Sequence, residues 1–183
     1  MTAPDPLRLQ MLLERLGWPH MVIGGLAVAA RGTPRMTGDA DVTVEVPEGA
    51  EAEMVARCVA AGFSPLPADP AEFVHVHRVL PVAAEDGMRV DLVVAGSPYE
   101  SDAIGRATRV RVGDALLHVM TAEDLVIHKL VAGRPRDMDD ARSVVRRAGP
   151  ALDVRLIREV VEPLAAALAD DDLRRRLREV LGG

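Results

Sequence analysis

Two aspartates, Asp39 and Asp41, stand two residues apart in the alternating polar and apolar stretch Asp39–Val46. Because a β-strand sends alternate side chains to opposite faces, the two carboxylates would share one face, while Ala40 and Val42 would share the other. Neighbouring carboxylates repel each other, and a divalent cation, which prefers carboxylate oxygens, reverses the sign of that interaction. The pair therefore predicts a metal-binding site on an exposed strand face.

A glycine pair, Gly24-Gly25, lies upstream of the acids, between the apolar stretch Met21–Ile23 and the helix-like stretch Leu26–Ala30. Glycines allow a tight turn and a close approach of the backbone to another group. The N–H groups and the dipole at the start of a helix bind phosphate. A phosphate cradle and a two-carboxylate metal site together are what phosphoryl or nucleotidyl transfer requires.

With these residues in this order, Gly24-Gly25 and then Arg35-x-Thr37-x-Asp39-x-Asp41, the chain resembles the nucleotidyltransferase superfamily with the DNA-polymerase-β-like palm. The resemblance implies that the glycines hold the triphosphate of a nucleoside triphosphate. It also implies that Asp39 and Asp41 are catalytic metal ligands. For Arg35 and Thr37 two interpretations stay open, contact with triphosphate oxygens by charge and hydroxyl or bracing of the loop.

The same resemblance implies a third catalytic carboxylate on a neighbouring strand. Asp91, in the stretch Met88–Val94, is an acid in an otherwise apolar strand, where an unpaired carboxylate is costly. We therefore expect Asp91 to complete the metal site, and an ion pair with Arg89 or Arg109 is the alternative.

A second block, Lys129…Arg134-x-x-Asp137-x-x-Asp140, resembles the corresponding segment of small bacterial nucleotidyltransferases, among them the AbiEii-type toxins. The resemblance implies that Lys129, the single lysine of the chain, binds the nucleotide. Asp137 and Asp140 share a helix face at i, i+3. Together with Arg134 they are possible accessory residues, in which an acid orients a cation or acts as a base. The alternative is that the acids only cap the helix start.

The composition limits the class of partner. The formal net charge of the 183 residues is −6, which is not the balance of a protein that coats nucleic acid. Eleven arginines nevertheless fall after residue 133. They form either a local basic face, which would favour RNA, or ordinary helix faces paired with nearby Asp and Glu.

The order of elements predicts an α+β fold, with mixed strands and helices first and a helical tail last. We expect a palm-like mixed β-sheet flanked by helices over residues 1–120, and a C-terminal helical segment packed on it over residues 121–183. Apolar alternation predicts a strand at Phe73–Leu80, in which His75 and His77 share a face without a third zinc ligand. No apolar run reaches transmembrane length and no signal peptide is recognised, so a cytoplasmic location is expected.

These patterns predict a nucleotidyltransferase that uses Mg²⁺ or Mn²⁺ to transfer a nucleoside monophosphate from a nucleoside triphosphate to an acceptor hydroxyl. The acceptor stays open among the tRNA 3′ end, a protein and a small molecule of the aminoglycoside type, and the C-terminal arginines favour tRNA. The resemblance to toxins adds a possible antitoxin partner. The alternative is a non-catalytic protein that binds nucleotide or an antitoxin, although the three acids and the glycine pair speak against it.

Overall fold

The computed structural model describes residues 4–182 as an α+β fold with one mixed β-sheet. The strands are β1 (His20–Ile23), β2 (Asp39–Val44), β3 (Phe63–Pro65), β4 (Val79–Ala84), β5 (Arg89–Val94), β6 (Thr108–Val112) and β7 (Ala115–Val119). The helices are α1 (Pro6–Leu16), α2 (Gly24–Arg31), α3 (Glu51–Ala60), α4 (Pro70–His77), α5 (Pro98–Arg106), α6 (Ala122–Ala132), α7 (Pro135–Ala148), α8 (Val154–Leu168) and α9 (Asp171–Leu181), with a 3₁₀ turn at Gly149–Ala151.

The strand order in the sheet is β3-β4-β5-β2-β1-β7-β6. Strands β2 and β5 pair in parallel, as do β1 and β7, and the other neighbours are antiparallel. The predicted α+β class and mixed sheet are therefore confirmed. The acid-bearing strands β2 and β5 lie next to each other near the middle of the sheet, where their backbone hydrogen bonds are satisfied on both sides.

One face of these central strands is the hydrophobic core. It is formed by side chains of β2 and β5 that are at most 4% exposed: Ala40, Val42, Val44, Val90, Leu92 and Val94. Burial of this apolar surface, at roughly 25 cal/mol per Å², holds the strands in register. Since a one-residue slip would turn every side chain to the other face, the core fixes which side chains point away from it.

Local signals set the helix ends that matter most here. The Thr121 hydroxyl accepts a hydrogen bond from the Asp124 backbone N–H at 3.1 Å and donates to Oδ2 of the same residue at 2.8 Å. This side-chain cap starts α6. Helix α6 ends at Gly133, whose φ of +65° is a left-handed conformation that glycine adopts without strain.

The chain forms two compact units. The first takes in the chain up to Leu26 together with Met36–Met120, and it contains the seven strands found within residues 4–182. The second takes in Ala27–Arg35 together with the chain from Thr121 onward, and it contains α6 to α9. Across residues 4–182, no helix combines the length and the apolar character needed to cross a membrane.

The predicted strand at Phe73–Leu80 is wrong, because Pro70–His77 is helix α4 and the strand begins only at Val79. Asp69 caps this helix by accepting the Glu72 N–H at 3.3 Å, and Pro70 occupies its first turn, where no N–H is needed. These start signals override the β-branched alternation that followed them. His75 and His77 consequently lie on a helix and not on a strand face.

Candidate functional site

Three carboxylates share one face of the first unit's sheet, the face opposite the core. In the parallel pairing of β2 with β5, Asp41 is in register with Asp91, and Asp39 is in register with Arg89. Residues in register send their side chains to the same face. The structure therefore places the three predicted acids on one face, and we call this surface of Asp39, Asp41 and Asp91 the acid face.

Charge is poorly balanced on the acid face. Burial raises the pKa of Asp91, the charge of Asp39 raises it further, and Arg89 only partly counters both effects. The raised pKa means that the ionised carboxylate is less stable here than in water. A cation bound at this face would stabilise the ionised carboxylate of Asp91.

The Thr37 hydroxyl braces the start of strand β2. Its oxygen lies 3.0 Å from the Asp39 carbonyl oxygen and 3.3 Å from Asp39 Oδ1. Of the two interpretations of Thr37, the structure shows the bracing contact. Contact with a triphosphate stays a prediction.

The glycine pair fits closely against side chains of β2 and of the loop before β2. A Cβ added at Gly24 would lie 1.9 Å from Asp41 Oδ2, and Gly24 has a φ of +59°. A Cβ at Gly25 would lie 2.6 Å from the Thr37 hydroxyl oxygen. Both positions therefore require glycine, as the predicted close backbone approach implies, and α2 starts at Gly24 itself rather than at Leu26.

The acid face does not by itself form an assembled metal-binding cage. Within residues 4–182, no group of three or more His, Cys, Asp or Glu side chains is gathered closely enough to hold a metal ion. The donor chemistry of the acid face still fits Mg²⁺, because all of its donors are carboxylate oxygens. Mg²⁺ usually takes only one or two carboxylates and completes its octahedron with water and substrate phosphates, so an assembled protein cage is not required.

The second unit holds the other predicted residues in a chain of ion pairs, which we call the lysine cluster. Lys129 Nζ lies 2.8 Å from Asp137 Oδ1 and 2.9 Å from Asp140 Oδ2. Arg134 Nε lies 2.5 Å from Asp137 Oδ2. Arg35 contacts both oxygens of Asp140, through Nε and Nη2, at 3.0 Å each.

Both carboxylates of the lysine cluster are paired with cations. Lys129, Asp137 and Asp140 are all buried. Burial alone would raise the pKa of each carboxyl, but the hydrogen bonds and charges of the paired cations outweigh it and hold both pKa values below their usual range. Asp137 and Asp140 thus both contact Lys129, and their predicted accessory role stays a prediction.

Sequence reasoning missed the contacts that fix the loop before Arg35. Arg147 Nη1 donates to the Gly32 carbonyl oxygen at 2.9 Å, and the Thr33 N–H donates to Ser143 Oγ at 3.3 Å. Asp140, Ser143 and Arg147 stand at i, i+3 and i+7, so they share one face of α7. The i, i+3, i+7 spacing of this polar stripe is the signal in the sequence that indicates a shared contact surface on α7.

Comparison with solved structures shows what this architecture is similar to. A solution structure of the antibiotic-resistance factor ANT(2″)-Ia matches with a TM-score of 0.59 and 15% identity, over 90% of this chain and 97% of that chain. The crystal structure of ANT(2″)-Ia in complex with adenylyl-2″-tobramycin matches with a TM-score of 0.55 and 18% identity, over 93% and 96%. Lincomycin-bound LnuA, a lincosamide antibiotic adenylyltransferase, matches with 0.56 and 11%, over 78% and 98%.

The chain has the nucleotidyltransferase fold. The predicted palm-like architecture is thereby confirmed, and similarity at these identities establishes the fold alone. Protein-family models and curated proteins give no match to the sequence. The closer resemblance to AbiEii-type enzymes stays a prediction.

Proposed function

We propose that this nucleotidyltransferase-fold protein is a metal-dependent enzyme that transfers a nucleoside monophosphate from a nucleoside triphosphate to an acceptor hydroxyl. The observation that carries the proposal is the acid face, three carboxylates on one face of β2 and β5, with Gly24 packed against Asp41. The raised pKa of Asp91 means that its ionised carboxylate is less stable here than in water, and a bound cation would stabilise it. The fold supports the proposal, because adenylyltransferases are among its structural neighbours.

In the proposed reaction, Asp39, Asp41 and Asp91 hold Mg²⁺ or Mn²⁺, which supplies positive charge to the phosphates when it is bound. The backbone N–H groups at Gly24 and Gly25 bind triphosphate oxygens at the start of α2. The acceptor oxygen forms a bond to the α-phosphorus, while the bond from that phosphorus to the bridging oxygen breaks. Pyrophosphate leaves with the electron pair, and the hydroxyl proton passes to the Asp91 carboxylate.

The lysine cluster is proposed to contribute positive charge. Its three cations, Lys129, Arg35 and Arg134, contact two carboxylates, which leaves one net positive charge. A net positive group of this kind suits a phosphate oxygen, and Lys129 and Arg35 keep the nucleotide-binding role that the sequence predicts. Asp137 and Asp140 are positioning residues in this proposal, since they contact the cations.

The proposal is tested by transfer from α-labelled nucleoside triphosphates and by release of pyrophosphate, with Mg²⁺ or Mn²⁺ present. Asp41→Asn should reduce the rate by a factor of about 10² to 10³, the scale on which loss of one electrostatic group slows an enzyme. Asp114→Asn, an exposed acid between β6 and β7, is the matched control and should leave the rate unchanged. Nucleotide binding in calorimetry with no metal dependence and no pyrophosphate would instead favour the non-catalytic alternative.

The AbiEii-like segment motivates a narrower hypothesis, that the enzyme is a toxin controlled by an antitoxin partner. Transfer to an essential acceptor, such as tRNA or a protein, would then stop growth. We expect induced expression in a heterologous bacterium to arrest growth with the wild type, and Asp39→Asn and Lys129→Ala to relieve the arrest. Equal growth of all three cultures would remove the toxin hypothesis and leave nucleotidyl transfer in place.

A further inference from the structure

A pocket of about 600 Å³ lies in the first unit beside helix α4. Its apolar wall includes Leu66, Phe73 and Val76, and its base includes Pro81 of β4 and Arg89 of β5. We call it the α4 pocket. Its volume falls within the roughly 300–1,000 Å³ of small-molecule sites.

The strand register makes this pocket continuous with the acid face. Pro81 is the antiparallel partner of Asp91, and Arg89 is the parallel partner of Asp39. Partners in register lie about 4.5–5.5 Å apart at Cα and point to the same face. The base of the pocket and the acid face are therefore neighbouring patches of one surface, separated by a single strand spacing.

The wall of the α4 pocket is apolar and partly aromatic. Leu66 and Val76 are 46% and 58% exposed, although both are large apolar side chains. The rings of Phe73 and His77 lie with centroids 4.3 Å apart, tilted by 46°. Exposed apolar side chains gathered at a concave site favour a ligand that buries them.

The charges around the pocket disfavour a polyanion. Asp69 and Glu72 lie in its lining, and Asp91 follows on the acid face, whereas the lining includes the single guanidinium of Arg89. An RNA acceptor needs several cations for its phosphates. Most C-terminal arginines are paired with acids on their own helices, for example Arg155 with Glu159 at 2.7 Å, which weakens the sequence argument for RNA.

We propose that the α4 pocket binds the acceptor, a neutral or cationic small-molecule alcohol whose apolar or aromatic body packs against Phe73 and Val76 while its hydroxyl lies at Asp91. This proposal rests on the proposed function for the transfer step, in which the acceptor oxygen bonds to the α-phosphorus and pyrophosphate leaves. The binding itself does not depend on that step. The two can therefore fail separately.

The binding test uses benzyl alcohol, an aromatic ring with one hydroxyl, titrated into the ¹⁵N-labelled full-length protein. We expect saturable chemical-shift changes at Leu66, Phe73 and Val76. Val76→Arg should remove them. Val59→Arg should not, because Val59 is equally exposed on a helix, at 57%, and lies outside the α4 pocket. Changes that do not saturate, that occur elsewhere, or that persist in Val76→Arg would overturn the proposal, and thermal unfolding checks that both variants are folded.

The acceptor test measures transfer of labelled nucleotide to tobramycin, lincomycin and total tRNA. The assignment is supported if the protein transfers nucleotide to either small molecule, and if kcat/KM for that transfer falls at least tenfold in Val76→Arg but is unchanged in Val59→Arg. Transfer to tRNA alone, or an equal effect of the two substitutions, overturns it. If the protein binds benzyl alcohol in the α4 pocket but releases no pyrophosphate, the proposed function is contradicted. The assignment of the α4 pocket as a binding site then still holds.

Discussion

The acid face and the lysine cluster shift the pKa of an aspartate carboxyl group in opposite directions. Burial and a neighbouring carboxylate raise the pKa of Asp91 on the acid face. In the lysine cluster, Asp137 and Asp140 are more deeply buried, yet their paired cations hold their pKa values low. Burial thus does not set the direction of these shifts. Direct hydrogen bonds from cationic side chains lower the pKa values of Asp137 and Asp140, whereas the charge of Arg89 only partly offsets the rise at Asp91.

The difference indicates different roles. A carboxylate set without enough cations is destabilising until positive charge arrives from outside, which suits a binding face. A carboxylate set that is already paired gains little from a further cation, but it holds the cations in fixed positions. The four predictions below test this contrast.

The largest effect is expected from Gly24→Ala, which adds a methyl group 1.9 Å from Asp41 Oδ2 at a φ of +59°. Asp41 must move, so we expect kcat/KM for pyrophosphate release to fall by a factor of about 10² or more, as when a reacting group is misplaced by about 1 Å. Gly49→Ala is the control, since its φ is +74° and nothing lies within 4 Å of the added Cβ. Gly49→Ala should lose only some stability, and an equal loss of activity in both variants would contradict the role of Gly24.

The residues of the acid face could be predicted because their signals are local. Asp39 and Asp41 are two residues apart, and the strand period alone puts them on one face. Gly24 was recognisable because a glycine before a helix signals close backbone approach. The third acid, Asp91, could be assigned to the site only through the family resemblance. A lone acid in an apolar strand does not reveal which strand its own strand pairs with.

The contacts of the lysine cluster could not be predicted in the same way. Arg35 and Asp140 are 105 residues apart, and nothing in their spacing shows that the loop before the acid strand lies against α7. The prediction for the segment that forms helix α4 was wrong for another reason. Its alternating Val and His residues favour a strand, and only the Asp69-Pro70 start signal, which outweighs them, favours a helix.

The next effect in size concerns stability. Asp140→Asn removes a buried carboxylate from between Lys129 and Arg35, and leaves those cations with one ionised partner fewer. Breaking a buried ion pair from one side costs about 3–5 kcal/mol, so we expect the free energy of unfolding in urea to drop by about 3 kcal/mol.

Asp139→Asn is the control for that measurement. Asp139 is the next residue of α7, its side chain is 80% exposed, and its ion pair with Arg142 spans 3.3 Å. An exposed pair of this kind contributes about 0–1 kcal/mol, so the variant should unfold close to the wild type. Similar losses in Asp139→Asn and Asp140→Asn would contradict the distinction between the buried cluster and the helix surface.

A smaller effect of opposite sign is expected on the acid face. Asp91→Asn removes a carboxylate whose raised pKa marks an unfavourable charge, so at pH 7 the variant should be as stable as the wild type or more stable, by up to about 1 kcal/mol after solvent screening. Its transferase activity should be lost. Urea unfolding and pyrophosphate release measured on the same preparation check both statements, and a destabilised Asp91→Asn would show that the carboxylate has a structural role.

The smallest effect is the pH dependence of these stabilities, and its sign differs between the two regions. Asp137 and Asp140 have folded-state pKa values below the unfolded value of about 3.9, so their contribution is present above that value and is lost as the pH falls through the folded values. The raised pKa of Asp91 acts the other way, because its cost is present above the folded pKa and disappears on acidification. Between pH 6 and pH 3, Asp140→Asn should therefore lose stability less steeply than the wild type, and Asp91→Asn more steeply. Asp139→Asn should follow the wild type, and slopes in the reverse order would mean that the charges of the two regions have been assigned the wrong way round.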